Sequence, residues 1–246
     1  MHSMPYAPAR RPPAGELHAW MVQLDDCLAT DDDCLEVLDQ SERARAGRFA
    51  FAPLRRRYLA AHAALRGILG HTLGLAPEQV ALSSDANGKP RLADGMPPLS
   101  FNLSHSHGMA VVALAPQGEI GIDIECCAPL PLLLPLVRRH FSVQEKHAFW
   151  TLDENQRLAG FYRWWTGKEA CLKALGVGLS SPLDGFSIEF RPGYALRMLE
   201  APAPMASMQL LPLHLQQPGW CGAVALADTQ PPVLRMRHWS WHGWRM

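Results

Sequence analysis

The apolar positions of this chain change period along its length, and each change marks an element. Between residues 41 and 70 they recur every three or four positions, with a break at Pro53. In RRRYLAAHAALRGILG, Leu59, His62, Ala63, Leu65, Arg66 and Leu69 fall close to one helical stripe that stops at Gly70. Past the turn signal Asn87-Gly88 the period drops to two, and residues 99–103, 109–115 and 119–125 read as strands. Helical spacing returns at about 142–150 and again at about 155–175. In the second stretch Leu158, Phe161, Tyr162, Trp165, Glu169 and Leu172 share one side before Gly176. The tail reads as short strands at 185–190, 208–215 and 220–227.

Two internal echoes point to a duplication. RYLAAHAALRGILG from Arg57 can be laid on RWWTGKEACLKALG from Arg163, and AVVALA ending at Ala115 resembles GAVALA ending at Ala227. The offsets nearly agree, which favours two similar α/β halves related by a pseudo-two-fold duplication, an α+β fold overall. The expected division is a disordered Pro/Ala/Arg-rich lead-in at 1–15, a first half at 16–118 and a second at 119–246, joined near Gln117-Gly118.

Composition narrows the class. With 48% hydrophobic and 19% charged residues in 246, the chain can bury a large core and is not intrinsically disordered. Twenty-three basic residues against 23 acidic ones argue against a protein that coats nucleic acid or an anionic membrane. The apolar run at 129–137 carries three prolines and is too short to span a bilayer, and the first residues hold no apolar signal core. Six cysteines without C-x-x-C spacing read as thiols, and a cytoplasmic location is expected. Nineteen of the basic residues are arginines; the only lysines are Lys89, Lys146, Lys168 and Lys173.

Three segments carry candidate chemistry. In Gly121-Ile122-Asp123-Ile124-Glu125, alternation sends Ile122 and Ile124 into a core and Asp123 and Glu125 together to the other face. Such paired carboxylates either hold a hard divalent cation such as Mg²⁺ or Mn²⁺ or form a solvated acidic face. In WWTGKEACLK, Trp165, Glu169 and Lys173 fall on one helical face, where Glu169 could complete a three-carboxylate site and Lys168 and Lys173 could neutralise phosphate. In FNLSHSH, hydroxyls and an imidazole near Lys89 suit a phosphate monoester better than zinc or a serine nucleophile. The sequence has neither a P-loop motif nor a G-x-G-x-x-G fingerprint.

In this order GKPRL, FNLSHSHG, GIDIE and FYRWWTGKEACLKALGVGL resemble the 4′-phosphopantetheinyl transferases, the larger surfactin-synthetase-activating type with two fused halves, over residues 41–190. The resemblance implies a monomer that uses coenzyme A and Mg²⁺ (or Mn²⁺) to move the phosphopantetheine arm onto a serine of an apo acyl- or peptidyl-carrier protein, releasing adenosine 3′,5′-bisphosphate. It implies Asp123, Glu125 and Glu169 as metal ligands, Lys173 with Lys168 on the pyrophosphate, and Ser104, His105 and Arg57 at the 3′-phosphate. Lys89 and Arg45 would contact the nucleotide end. The site would lie between the halves, and the carrier's acidic helix would dock on Arg138, Arg139 and the leucine-rich loop before them. Two other readings use the same residues: a metal-dependent coenzyme A or nucleotide pyrophosphatase, and a non-catalytic coenzyme A or carrier-binding scaffold.

Overall fold

The computed structural model describes residues 11–178, 181–189, 196–228, 230–242 and 244. The expected lead-in therefore lies mostly outside the described residues. The chain builds two sheet cores, the first mixed and the second antiparallel, each with a 22-residue helix packed on it. The first sheet has the order β11-β1-β5-β4 and contains β1 (Glu16–Gln23), β4 (Ser100–Ser106), β5 (Met109–Ala115) and β11 (Val233–His238). The second, β6-β10-β9, contains β6 (Ile120–Cys126), β9 (Met208–Pro212) and β10 (Trp220–Ala227). Short hairpins are made by β2 (Leu82–Ser84) with β3 (Pro90–Leu92), and by β7 (Ser187–Glu189) with β8 (Arg197–Glu200).

Strand parity distributes the core. Alternate residues of β5, Ala110, Val112 and Leu114, face the first cluster with helix α3 (Ala52–Leu73). The others, Met109, Val111, Ala113 and Ala115, face a cluster shared with Ile122 and Ile124 of β6 and Val224 and Leu226 of β10. Both faces of β5 are thus covered, so this antiparallel strand reads as continuous apolar sequence. The second sheet's outer face, through Ala223 and Ala225, carries helix α6 (Glu154–Leu175) with Phe161, Trp164 and Leu172. Both long helices end on a glycine in the left-handed conformation, Gly74 and Gly176. The 57–70/163–176 echo is out of register with these ends: it equates Gly70, inside α3, with the cap Gly176.

The sequence pattern leaves several elements unmarked. These are β1, α1 (Asp31–Val37), β11 and α4 (Leu133–His140). The leucine-rich stretch before Arg138 is therefore helix rather than loop; Pro135 is accommodated in its first turn, where no intrahelical N–H bond is needed. A more consequential departure concerns the end of the chain. β11 pairs in parallel with β1, and Trp239, Trp241 and Trp244 pack on the first cluster, so β11 and these three tryptophans complete the first core rather than the second. Two shorter helices, α2 (Gln40–Ala46) and α5 (Val143–Thr151), start with reciprocal capping boxes at Asp39/Glu42 and Ser142/Glu145.

Candidate active site

Where β4 meets β6, the two sheets are joined by side chains. Asn102 Oδ1 accepts from the backbone N–H of Ile122 at 2.9 Å, Ser104 Oγ from Ile124 at 3.3 Å and Ser106 Oγ from Cys126 at 3.4 Å. Three alternate residues of one strand thus satisfy three alternate donors of the next, at a constant offset of 20 positions. The same serines then reach the acidic residues between those donors. Ser104 Oγ donates to Asp123 Oδ1 at 3.0 Å and Ser106 Oγ to Glu125 Oε2 at 2.8 Å.

Helix α6 closes over these acids because of Gly121. A Cβ at this position would overlap Ala170 O and Ala174 N, so only glycine lets the helix backbone lie directly on β6. This contact brings Trp165, Glu169 and Lys173 into a cavity of about 310 Å³ with Ser104, His105, Asp123 and Glu125. The expected helical face and the expected acidic strand face therefore line one space. Lys173 Nζ donates to Asp123 Oδ1 at 2.6 Å and to Ser104 Oγ at 3.0 Å.

The cavity brings three carboxyl groups together. Asp123 is 4% exposed, and its burial raises the carboxyl pKa against the pull of Lys173. Burial also raises Glu125, opposed by the Ser106 bond. Glu169 is pushed up to about 7 by burial and then by the charge of Asp123, with Lys173 opposing. Asp123 Oδ2 and Glu169 Oε1 are buried and accept no hydrogen bond. Two uncompensated carboxylate oxygens on one cavity are what a hard cation would satisfy. Among the described residues, no three His, Cys, Asp or Glu side chains stand as a ready-made metal cage. The donor chemistry fits Mg²⁺, while Lys173 now occupies one Asp123 oxygen.

A second cavity, of about 290 Å³, is lined by acids and bases together, Asp39 and Glu42 with Arg45 and His62, and by Tyr58, Ser83, Ser84, Gly88 and Pro90 among others. His105 belongs to the first cavity, where burial, with the charges of Lys173 and Arg45 adding to it, pushes its pKa down to about 4.

Four expected site residues are placed otherwise. Lys168 is fully buried on the far side of α6, paired with Glu145 at 2.9 Å and donating to Leu183 O and Phe186 O, so it clamps the 183–188 segment and does not reach the cavity. Consecutive helix positions point about 100° apart, so Lys168 and Glu169 cannot share a face. Lys89 turns away to Glu119 at 3.0 Å and Ala174 O at 2.7 Å, leaving its neighbours Gly88 and Pro90 on the second cavity. Arg57 pairs with Asp25 at 2.7 and 2.8 Å and lines neither cavity. Ser104 is engaged with Asp123 and Lys173 rather than held free for a phosphate. The sequence reading missed Asn102, Ser106 and His62. For the first two the signal was the N-x-S-x-S alternation in step with G-I-D-I-E.

Three acids and a lysine share one cleft in this α+β chain, a set of side chains suited to a divalent ion and the phosphate it binds. Residues 119–222 match the family model of the 4'-phosphopantetheinyl transferase superfamily, and residues 28–117 match that of the 4'-phosphopantetheinyl transferase N-terminal domain. The chain is 38% identical over 199 residues to the 4'-phosphopantetheinyl transferase HetI of Nostoc sp., covering 80% of this chain and 83% of that protein. It is 33% identical over 177 residues to the 4'-phosphopantetheinyl transferase psf-1 of Bacillus pumilus, covering 70% and 74%. With the L-aminoadipate-semialdehyde dehydrogenase-phosphopantetheinyl transferase of Mus musculus it shares 30% identity over 165 residues, 63% and 53% of the two chains. The chain belongs to the 4'-phosphopantetheinyl transferase superfamily and is an enzyme of that class.

Proposed function

We propose that this protein transfers the 4′-phosphopantetheine arm of coenzyme A to the serine hydroxyl of an apo acyl- or peptidyl-carrier protein, with adenosine 3′,5′-bisphosphate as the other product. The observation that carries this reading is the single cleft shared by Asp123, Glu125, Glu169 and Lys173, with two buried carboxylate oxygens unsatisfied. Asp123, Glu125 and Glu169 would hold Mg²⁺ or Mn²⁺, which supplies charge neutralisation on the diphosphate. Lys173 offers its ammonium to the same diphosphate, and Trp165 walls the cleft. The serine becomes a nucleophile only as its proton leaves. Glu169, with its pKa near 7, has the proton affinity for that task in the free enzyme. A carboxylate engaged with a divalent ion is too weak a base, which leaves the proton to a water.

Consecutive matches to an N-terminal and a superfamily model favour the larger, two-half type, which we take to act as a monomer. No described helix is long and apolar enough to cross a membrane. The carrier would meet the surface of α4, where exposed Leu132 and Leu134 precede Arg138 and Arg139 and His140 touches Trp165 at the cleft. Incubation with coenzyme A, Mg²⁺ and several apo-carriers, read by intact mass, tests the proposal. Addition of the arm to a carrier serine supports it; hydrolysis of coenzyme A without carrier favours a pyrophosphatase instead, and binding without turnover a scaffold. Asp123→Ala or Glu169→Ala is expected to abolish transfer with the circular dichroism spectrum retained, and full activity in either variant refutes the acid cluster.

A further inference from the structure

Two half-buried thiols meet beside the cleft without serving the transfer chemistry. β6 and β10 run antiparallel, with Cys221 opposite Glu125 and Trp220 opposite Cys126. The ladder continues one step past β6, where the Cys127 N–H donates to Gly219 O at 2.7 Å. By parity Cys127 and Cys221 share the sheet face of Asp123 and Glu125, the face that α6 covers, while Cys126 belongs with Ile122 and Ile124 on the other. On the α6 face the Cys127 thiol donates to Cys221 Sγ at 3.1 Å.

Closing an S–S bond of about 2.05 Å requires these sulfurs to approach by about 1 Å. Both are partly exposed and within reach of a small oxidant, whereas Cys34 and Cys171 are buried. The chain just beyond Cys127 is tied down, since Ala128 O accepts from the Tyr162 hydroxyl of α6 at 3.0 Å. The movement therefore falls on β6 and β10 where they flank the sulfurs. Glu125 sits there, two residues before Cys127 and directly opposite Cys221, with its carboxylate held by the Ser106 bond at 2.8 Å.

We propose that Cys127 and Cys221 are a reversible modification site: a low-molecular-weight disulfide such as oxidised glutathione converts them to a disulfide that displaces Glu125 and weakens divalent-ion binding in the cleft. The inference rests on the acid cluster of the transferase reading. In the first exchange one protein sulfur attacks the oxidant. The oxidant's S–S bond breaks, a mixed disulfide forms, and one glutathione thiol leaves with the proton given up by the attacking thiol. In the second, the other protein sulfur attacks its neighbour in the mixed disulfide, forming the Cys127–Cys221 bond and releasing the second glutathione thiol with the second proton. The protein loses two electrons and two protons, the oxidant gains them, and a dithiol reverses both steps.

The test exposes the whole chain to oxidised glutathione, blocks the remaining thiols with N-ethylmaleimide in denaturant and maps linked peptides by mass. A linkage joining residues 127 and 221 is expected, and the oxidised chain should bind Mn²⁺ about tenfold more weakly by calorimetry. The Mg²⁺ concentration for half-maximal transfer should rise by a similar factor, and dithiothreitol should restore both. Cys221→Ser should keep the reduced chain's values under oxidant, and Cys127→Ser decides should that variant fail to fold. No 127–221 linkage, a linkage through Cys126 instead, or a linked chain that binds Mn²⁺ as tightly as the reduced one overturns the proposal. Linkage with weakened Mn²⁺ binding, in a chain that modifies no carrier once reduced, upholds this inference and sinks the transferase reading. A reduced chain that binds no Mn²⁺ sinks the acid cluster and this inference with it.

Discussion

Glu169 makes visible the cost of gathering three acids beneath one helix. Its folded pKa of about 7 exceeds the ordinary 4.5, so the folded state holds a proton that the unfolded state releases between those values. Its contribution to stability is complete below pH 4.5 and is lost as pH rises through 7. In chelator, Glu169→Gln should therefore melt above wild type at pH 8, by up to about 3 kcal/mol, and the advantage should vanish near pH 5. A wild-type melting temperature that rises between pH 5 and 8 relative to the variant contradicts the assignment. Ser106 acts through a neighbour: it holds Glu125 in place and closes a backbone bond of β6. Ser106→Ala should cost about 1 kcal/mol in melting and raise the Mg²⁺ concentration for half-maximal transfer, with Ser106→Thr restoring most of both. At this scale the sequence led to one cavity for the three acids and Lys173, but not for Lys89 and Lys168. Asp123, Glu125 and Glu169 follow from parity and helical spacing. Lys89 and Lys168 are phosphate-like by composition, but only three-dimensional contacts reveal that they serve carbonyls and the acids Glu119 and Glu145.

Elements meet here through backbone proximity that no residue pattern advertises. The amphipathic face of β6 and the Trp165–Glu169–Lys173 face of α6 were legible separately; their contact depends on Gly121, whose missing side chain is its whole contribution. Gly121→Ala should lift α6 from β6, cost about 3 kcal/mol and remove transfer, because Glu169 and Lys173 move with the helix. Wild-type activity in this variant would mean the packing is looser than described. The Lys168–Glu145 pair works on the opposite side of α6, linking the start of α5 to the 183–188 segment. Lys168→Met strands a buried carboxylate and should destabilise by about 3–5 kcal/mol, as measured by denaturant unfolding. The unmarked elements have physical explanations as well. β1 is buried on both faces and lacks alternation, α4 contains a proline in its first turn, and β11 is a short strand of alternating exposure at a sheet edge.

On the scale of the molecule, the cleft is made by two cores that meet at the side-chain seam between β4 and β6. The residues that line the two cavities are thereby divided, with Arg45, His62 and His105 from one core and Asp123, Glu125, Glu169 and Lys173 from the other. Charge reversal at Arg138 and Arg139 should raise the carrier KM and leave coenzyme A affinity untouched; unchanged carrier kinetics would remove α4 from the docking surface. The division at residue 118 captures the order of the segments but not the return of β11, since a strand added in parallel from the far end of the chain leaves no local signal. That return has a bearing on biosynthesis. A nascent chain that has emerged only as far as β10 holds β1 zipped to β5 on one flank and bare on the other, an open edge able to recruit foreign strands. Premature termination upstream of residue 233 should therefore yield aggregating products, even though every cleft side chain has already been made.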